Sequence, residues 1–280
     1  MGGFLLYNKA MDFFQSHDWL NRPGPKYAFQ LDHILFVVIG LLIGVGLCFL
    51  LRKKEQKTIK IVLISLWGFA VLVELIYYGV TYGMCIADPT NHPFNIEGML
   101  PFHSCLMFMY VFPFAIFSKN RIIKTAASNF LVVINMIIGF ITLFVGCPPV
   151  GSSALSFPGF QSLILHIIIV IVPLIMVVTK VYDLKFKDLI YGLALFGILA
   201  TVMWIFDACT GCDYFYHYDG HTFPVLKIIS ENVHHLVWTL IVVSCYVITG
   251  CAIHFLILLI KYLVNKKKNQ SQNLNNEPPM

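Results

Sequence analysis

Few side chains in this sequence could do chemistry, and nearly all of them sit in apolar company. The run LPFHSC at 100–105 opens one apolar stretch and sets His103, Ser104 and Cys105 in succession just after Pro101. Glu74, His166 and Asp207 each stand inside another long apolar stretch. An imidazole is a general base or acid near neutral pH, and a carboxylate can hold it in one orientation. A thiol or hydroxyl beside such a base can become a nucleophile. Cys105 falls in the first turn of its stretch, where a helix dipole favours a thiolate, and Ser104 is the weaker nucleophile. His103 and Cys105 are two residues apart and point to opposite sides of a helix. A base for Cys105 must therefore come from another segment, and His166 is the candidate. The plainer reading makes Cys105 a small apolar filler.

What must carry these groups is a set of membrane helices. The chain has 280 residues, 58% hydrophobic and 12% charged, about half the charge of a soluble domain. Continuous apolar runs of about 20 residues cross a hydrocarbon core as helices, and their lack of alternation argues against barrel strands. The fold class is all-α, a polytopic membrane protein with about seven spans: 33–51, 59–80, 100–118, 122–146, 160–181, 188–208 and 233–263. Residues 1–32 form an N-terminal tail in which 4–19 has the mixed pattern of a helix lying on a membrane surface. Residues 33–265 are one membrane domain, and the polar tail 266–280 is expected to be disordered. Seven spans put fifteen of the nineteen Lys and Arg residues on one side, in the segments after spans one, three, five and seven. That asymmetry places the N-terminus outside and the C-terminus in the cytoplasm of a cell-membrane protein.

With this topology, His103, His166, Glu74 and Asp207 all fall within roughly 10 Å of the outer interface, at ~1.5 Å per residue from the span ends. Ionisable groups at membrane depth are costly and usually pair or serve a function. Four of them at one depth on four spans are expected to share one polar chamber. The plainer alternative keeps them separate, each satisfied locally by snorkelling to water or headgroups. Asn129 and Asn135 read as hydrogen bonds between helices.

The outer loops hold Cys85, Cys147, Cys209 and Cys212, and the geometry leaves a Cys85–Cys147 bridge open. Cys209 and Cys212 have redox spacing without the βαβ setting of a thioredoxin. With His217, His221, His234 and His235 nearby zinc is conceivable, though irregular spacing and a place at a span end count against it. No metal and no cofactor is expected. The aromatic and polar loop 212–238 reads as a cover over the chamber, with Glu231 and the His234–His235 pair at the mouth of the last span.

The order of several short motifs is familiar. Phe29–His33 as FxxxH, LPFHSC, FPGF at 157–160, His166 followed by Pro173, Cys212 to Tyr216, Pro224 and Glu231 together resemble the YwaF-like family of bacterial integral membrane proteins. The resemblance covers residues 29–246. More distantly, the pattern is similar to a eukaryotic transmembrane acyltransferase of ether phospholipids and to the androgen-induced membrane hydrolases of lipid esters. That likeness implies roles for His103 and His166. It also implies a cysteine nucleophile directly before His103, where this chain has Phe102.

Three functions are consistent with these residues. The first is a lipid-directed hydrolase or acyltransferase with His166 or His103 as base, Asp207 or Glu74 as orienting acid, and Cys105 or Ser104 as nucleophile. The second is a transporter or binding protein for a small polar or lipidic solute, using the same groups as ligands. The third is a non-catalytic membrane protein. Membrane lipids and a lipid or small-molecule substrate are the expected partners, and nucleic acid is not.

Overall fold

The structure is a computed structural model that describes residues 30–90, 92–145, 154–218 and 224–275. The surface helix expected at 4–19, Cys147 and His221 lie outside the described residues. Among the described residues the helices are, in order, α1 Leu31–Leu51, α2 Gln56–Ala87, α3 Ile96–Met99, α4 Met107–Phe117, α5 from Arg121–Phe130 through Leu131–Asn135 to Met136–Val145, α6 Phe157–Val178, α7 Asp188–Thr210, α8 Pro224–Asn232 and α9 His235–Asn275. The same residues hold no strand. The all-helical membrane class therefore holds, with six of the described helices long and apolar enough to cross a bilayer. The helix α9 runs on to Asn275, into the segment read from composition as a tail.

The remaining predicted span is only partly helical. The sequence predicts a full span over 100–118, but the helix there is Met107–Phe117, about 16 Å long at 1.5 Å per residue. Pro101 lacks an amide proton and biases Leu100 away from helical backbone. Residues 100–106 wind instead through tight turns, with Phe102 N donating to Leu100 O at 2.9 Å and Leu106 N to His103 O at 2.8 Å. Hydropathy cannot separate such a turn from a helix, because both hold the same residues.

The two inner helices are α5 and α6, with 67% of each membrane-length stretch buried, against 17% to 28% for α1, α2, α7 and α9. The inner pair therefore forms the core, and the other four turn apolar faces outward. Leu42, Ile198 and Leu240 are examples of exposed large side chains, costly in water and tolerable against acyl chains. Helix α6 touches α1, α2 and α5, while α5 also touches α4, α7 and α9. The middle of α5, Leu131–Asn135, winds as a π-helix. Such a stretch rotates the following side chains and is frequent at functional sites.

The contact of α1 with α6 rests on two glycines one turn apart. A Cβ on Gly40 would lie 2.4 Å from Ile167 Cδ1, and one on Gly44 only 1.9 Å from Ile171 Cδ1. Small residues four apart let membrane helices approach closely. Gly44→Leu is expected to push α1 off α6 and lower stability by about 1–3 kcal/mol, read as a lower melting temperature in detergent. An unchanged melting temperature would mean that Ile171 simply moves aside.

The lysine-rich end is tied by Lys261, whose Nζ donates to Asp183 Oδ1 at 2.6 Å and to Leu184 O at 2.9 Å. The ammonium holds the Asp183 carboxyl below the usual carboxylate range. The opposite end of the bundle carries His103, Asp207 and the loop after α7.

Candidate functional site

Asp207 is in the last turn of α7 and only 1% exposed. The helix stops at Gly211, whose φ of 74° is a left-handed cap, the conformation glycine adopts without strain. The chain then folds back over the helix end. Asp207 Oδ1 accepts from Tyr214 N at 3.2 Å, and Asp207 Oδ2 lies 3.3 Å from His217 Nδ1. The carboxylate oxygen is the acceptor of this pair, so His217 Nδ1 donates and Nε2 is directed away from Asp207.

The returning loop is fixed from several sides. Trp238 Nε1 donates to Tyr216 O at 2.8 Å and Thr239 Oγ1 to His217 O at 2.8 Å, both from α9. Tyr214 OH donates to Ile96 O at 2.7 Å, reaching α3. Burial pushes the Tyr214 phenol up, which keeps it a donor. Tyr216 has a φ of 59°, a conformation that costs a non-glycine residue energy and persists only where its surroundings impose it. These hydrogen bonds tie residues 214–217 to α3 and α9.

His103 belongs to the same group. Its ring stands edge-on to Tyr214 with centroids 5.1 Å apart. It faces the backbone of Tyr214 and Glu97 and lies within the field of Asp207. Phe102 packs its ring against Tyr214 at 5.8 Å and Phe206 at 5.5 Å. The position at which the resemblance implies a cysteine is thus an aromatic wall beside the histidine.

Glu74 makes a separate pair. It is buried on α2, and its Oε1 accepts from Gln161 Nε2, near the start of α6. Its Oε2 is buried with no hydrogen-bond partner among the described residues. Tyr77, Tyr78 and Tyr110 surround the carboxylate closely enough to feel its charge. Tyr110 also packs against Phe102, with centroids 6.4 Å apart.

His166 is held by its own helix. Its Nδ1 lies 2.6 Å from Ser162 O and 3.5 Å from Ser162 Oγ. Donation from Nδ1 to that carbonyl leaves Nε2 as the unprotonated nitrogen. Among the described residues, no hydrogen bond or ring contact joins His166 to His103, Glu74 or Asp207. In the structure Asp207 pairs with His217 beside His103, Glu74 with Gln161, and His166 with Ser162, one residue after Gln161 on α6.

Ser104 is buried with its Oγ 3.5 Å from Tyr246 OH. Cys105 is half-buried, and Tyr78 lies within its field. The turn that carries both is tied to the core by Asn135, whose Nδ2 donates to Ser104 O at 3.3 Å and to Cys105 O at 3.2 Å. Asn135 is the last residue of the π-helical turn, so the hydrogen bond expected between helices runs instead from helix to turn. Cys85, Cys209 and Cys212 are free thiols. No group of three His, Cys, Asp or Glu side chains gathers among the described residues to hold a metal ion.

Sequence reasoning misses three members of these groups. It weighs His217 only as a metal ligand, passes over Gln161, and reads Tyr214 as an interface aromatic. Gln161 has a signal that could find it, since a buried carboxylate needs a donor and Gln161 is the polar side chain heading the neighbouring span. The model of the TMEM164 family matches residues 28–260, which include Glu74, His103, Gln161, His166, Asp207 and His217. No curated protein and no solved structure matches the chain.

Proposed function

We propose that this chain, which belongs to the TMEM164 family, is a lipid-directed membrane enzyme that hydrolyses acyl esters at the outer surface of a cell membrane. The observation that carries this reading is the buried Asp207–His217 pair beside His103. A carboxylate that fixes the tautomer of an imidazole is the arrangement of a general base. Burying both groups in a membrane protein is costly unless they pair and serve a function. The likeness to lipid acyltransferases and ester hydrolases supplies the direction.

Phe102 in place of cysteine argues for water as the attacking group and hydrolysis as the outcome. His217 Nε2 takes a proton as water oxygen attacks the ester carbonyl. The bond to the alcohol oxygen breaks, and the imidazolium returns the proton to it. His103 acts on the developing negative charge, and the turn held by Asn135 lines the path. His166 is the alternative base, with its Nε2 lone pair already presented. Fifteen basic residues in the segments toward the opposite end support an outward-facing site.

The test is release of fatty acid from ester lipids by the protein in nanodiscs, alongside thiol- and serine-directed probes. Release without labelling of Cys105 or Ser104 supports attack by water. Labelling that is lost in His166→Ala would move the chemistry to a covalent route through that base. No release from any ester lipid would overturn the enzyme reading. The open oxygen of Glu74 favours a second reading, a binding or transport site for a solute that donates hydrogen bonds. Uptake into vesicles that is abolished by Glu74→Gln would select it.

A further inference from the structure

Between α6 and α7, at the lysine-rich end of the bundle, the chain turns through KVYDLKFKD at 180–188. Bonds from several elements hold this turn. Tyr182 N donates to Met176 O at 3.0 Å and Asp188 N to Lys185 O at 2.9 Å. Asp188 Oδ2 accepts from Tyr182 OH at 2.9 Å and from Lys185 N at 3.0 Å. Asn129 of α5 donates from Nδ2 to the Tyr182 hydroxyl at 3.3 Å. Lys261 of α9 grips Asp183 and Leu184. Lys185, Phe186 and Lys187 are thus presented by a turn that is fixed on both sides of them, which lowers the ordering cost of binding anything there.

The charges of this turn do not balance. Four lysines, Lys180, Lys185, Lys187 and Lys261, stand against two carboxylates, Asp183 and Asp188. Both carboxylates are already engaged, Asp183 by Lys261 and Asp188 by Tyr182 and the backbone of Lys185. Lys180 and Lys185 lie within the field of Asp183. Among the described residues, however, no carboxylate forms an ion pair with Lys180, Lys185 or Lys187. Beside them is an apolar shelf. Phe186 is 68% exposed, and its ring rests on that of Phe255 of α9, itself 46% exposed, with centroids 5.8 Å apart. Leu259, one turn further along α9, is exposed as well. Surplus positive charge calls for an anion, and open aromatic and aliphatic side chains at the same place call for hydrocarbon. An anionic amphiphile supplies both.

We propose that an anionic phospholipid of the leaflet at the lysine-rich end docks on this turn, with its phosphate between Lys185 and Lys187 and an acyl chain along Phe186, Phe255 and Leu259. A zwitterionic headgroup also offers a phosphate, but it brings a cation of its own that the surplus lysines repel. A headgroup of net negative charge does not. A soluble anion has no chain for the shelf. Docking here does not depend on ester chemistry at the opposite end of the bundle.

The experiment is native mass spectrometry of the full chain released from nanodiscs of equal parts phosphatidylglycerol and phosphatidylcholine. The wild type is expected to retain phosphatidylglycerol in preference. Lys185→Gln combined with Lys187→Gln should lower that preference by about five-fold per lysine, the worth of one basic side chain at an anionic surface. Lys53→Gln combined with Lys54→Gln removes the same charge from the turn between α1 and α2 and should leave the preference as it is. Phe186→Ser keeps every charge and should weaken retention. All five positions are exposed, and an unchanged melting temperature in detergent shows that each variant is folded. Equal retention of the two lipids by the wild type, an unchanged preference in the Lys185 and Lys187 variant, or an equal fall in the Lys53 and Lys54 variant would overturn the proposal. Full retention in Phe186→Ser, or displacement of the lipid by glycerol phosphate, would reveal a site for a bare anion and overturn it as well.

Discussion

Replacing Asp207 by asparagine is expected to lower lipid-ester hydrolysis by about 10²–10⁴-fold, the range set by loss of a positioned general base. The geometry explains why so small a change matters. The amide oxygen of the new side chain can still accept from the backbone of Tyr214, so the returning loop keeps a bond that measures 3.2 Å in the native fold. The other atom becomes an NH2 group facing His217 Nδ1, where the native carboxylate oxygen stands 3.3 Å away. Two donors cannot face each other. His217 must move its proton from Nδ1 to Nε2, and the nitrogen that should take a proton from water then already holds one. The variant should fold and bind lipid like the parent while its turnover falls. His217→Ala should fall as far, and the double variant no further, because both changes remove one working unit. Fatty-acid release from nanodiscs reads all three. A double variant much slower than either single would show that Asp207 serves a different group, with His103 the neighbour that feels its charge.

The helices are legible in the sequence because their residues are apolar over lengths that only a membrane explains. Their ends are less so. Helix α2 runs seven residues beyond its expected end at Val80, to Ala87, because YYGVTYGMCIA contains no residue that stops a helix before Asp88 and Pro89. The half-length of α4 is hidden for the opposite reason, since the turn at 100–106 is as apolar as a helix. The site is half legible. That Asp207 and Glu74 need partners follows from the cost of bare carboxylates in oil. Which partners they take depends on how the chain turns after Gly211 and on how α2 and α6 are rotated, and neither is written in periodicity. His166 turns to the carbonyl of Ser162 four residues earlier on its own helix, a bond that the reading from depth passes over. The π-helical turn before Met136 has no signal in residue type, and it hides the role of Asn135.

Asn135→Asp is the second change expected to have a large effect, and it alters neither size nor shape. The Asn135 amide nitrogen meets the carbonyls of Ser104 and Cys105 at 3.3 and 3.2 Å. Carbonyls only accept, so the side chain facing them must donate. Aspartate there would set an acceptor against two acceptors, with a negative charge at a fully buried position. On insertion scales a central carboxylate in a membrane helix alone costs about 2.5–3.5 kcal/mol. The lost bonds bring the expected destabilisation to about 3–5 kcal/mol, with low yield of folded protein. Asn135→Leu provides the contrast. It adds no charge and also removes Asn135 Oδ1, an acceptor with no partner among the described residues, so it should cost only about 1–2 kcal/mol. Melting temperatures in detergent rank the two. The leucine variant, still folded, then isolates what the bonds do for the turn: with Ser104 and Cys105 no longer tethered to α5, thiol labelling of Cys105 should rise and fatty-acid release should fall. Equal stability of the aspartate and leucine variants would mean that water reaches this position and solvates the charge. The turn would then be held by Pro101 and its own backbone bonds rather than by the π-helical turn of α5.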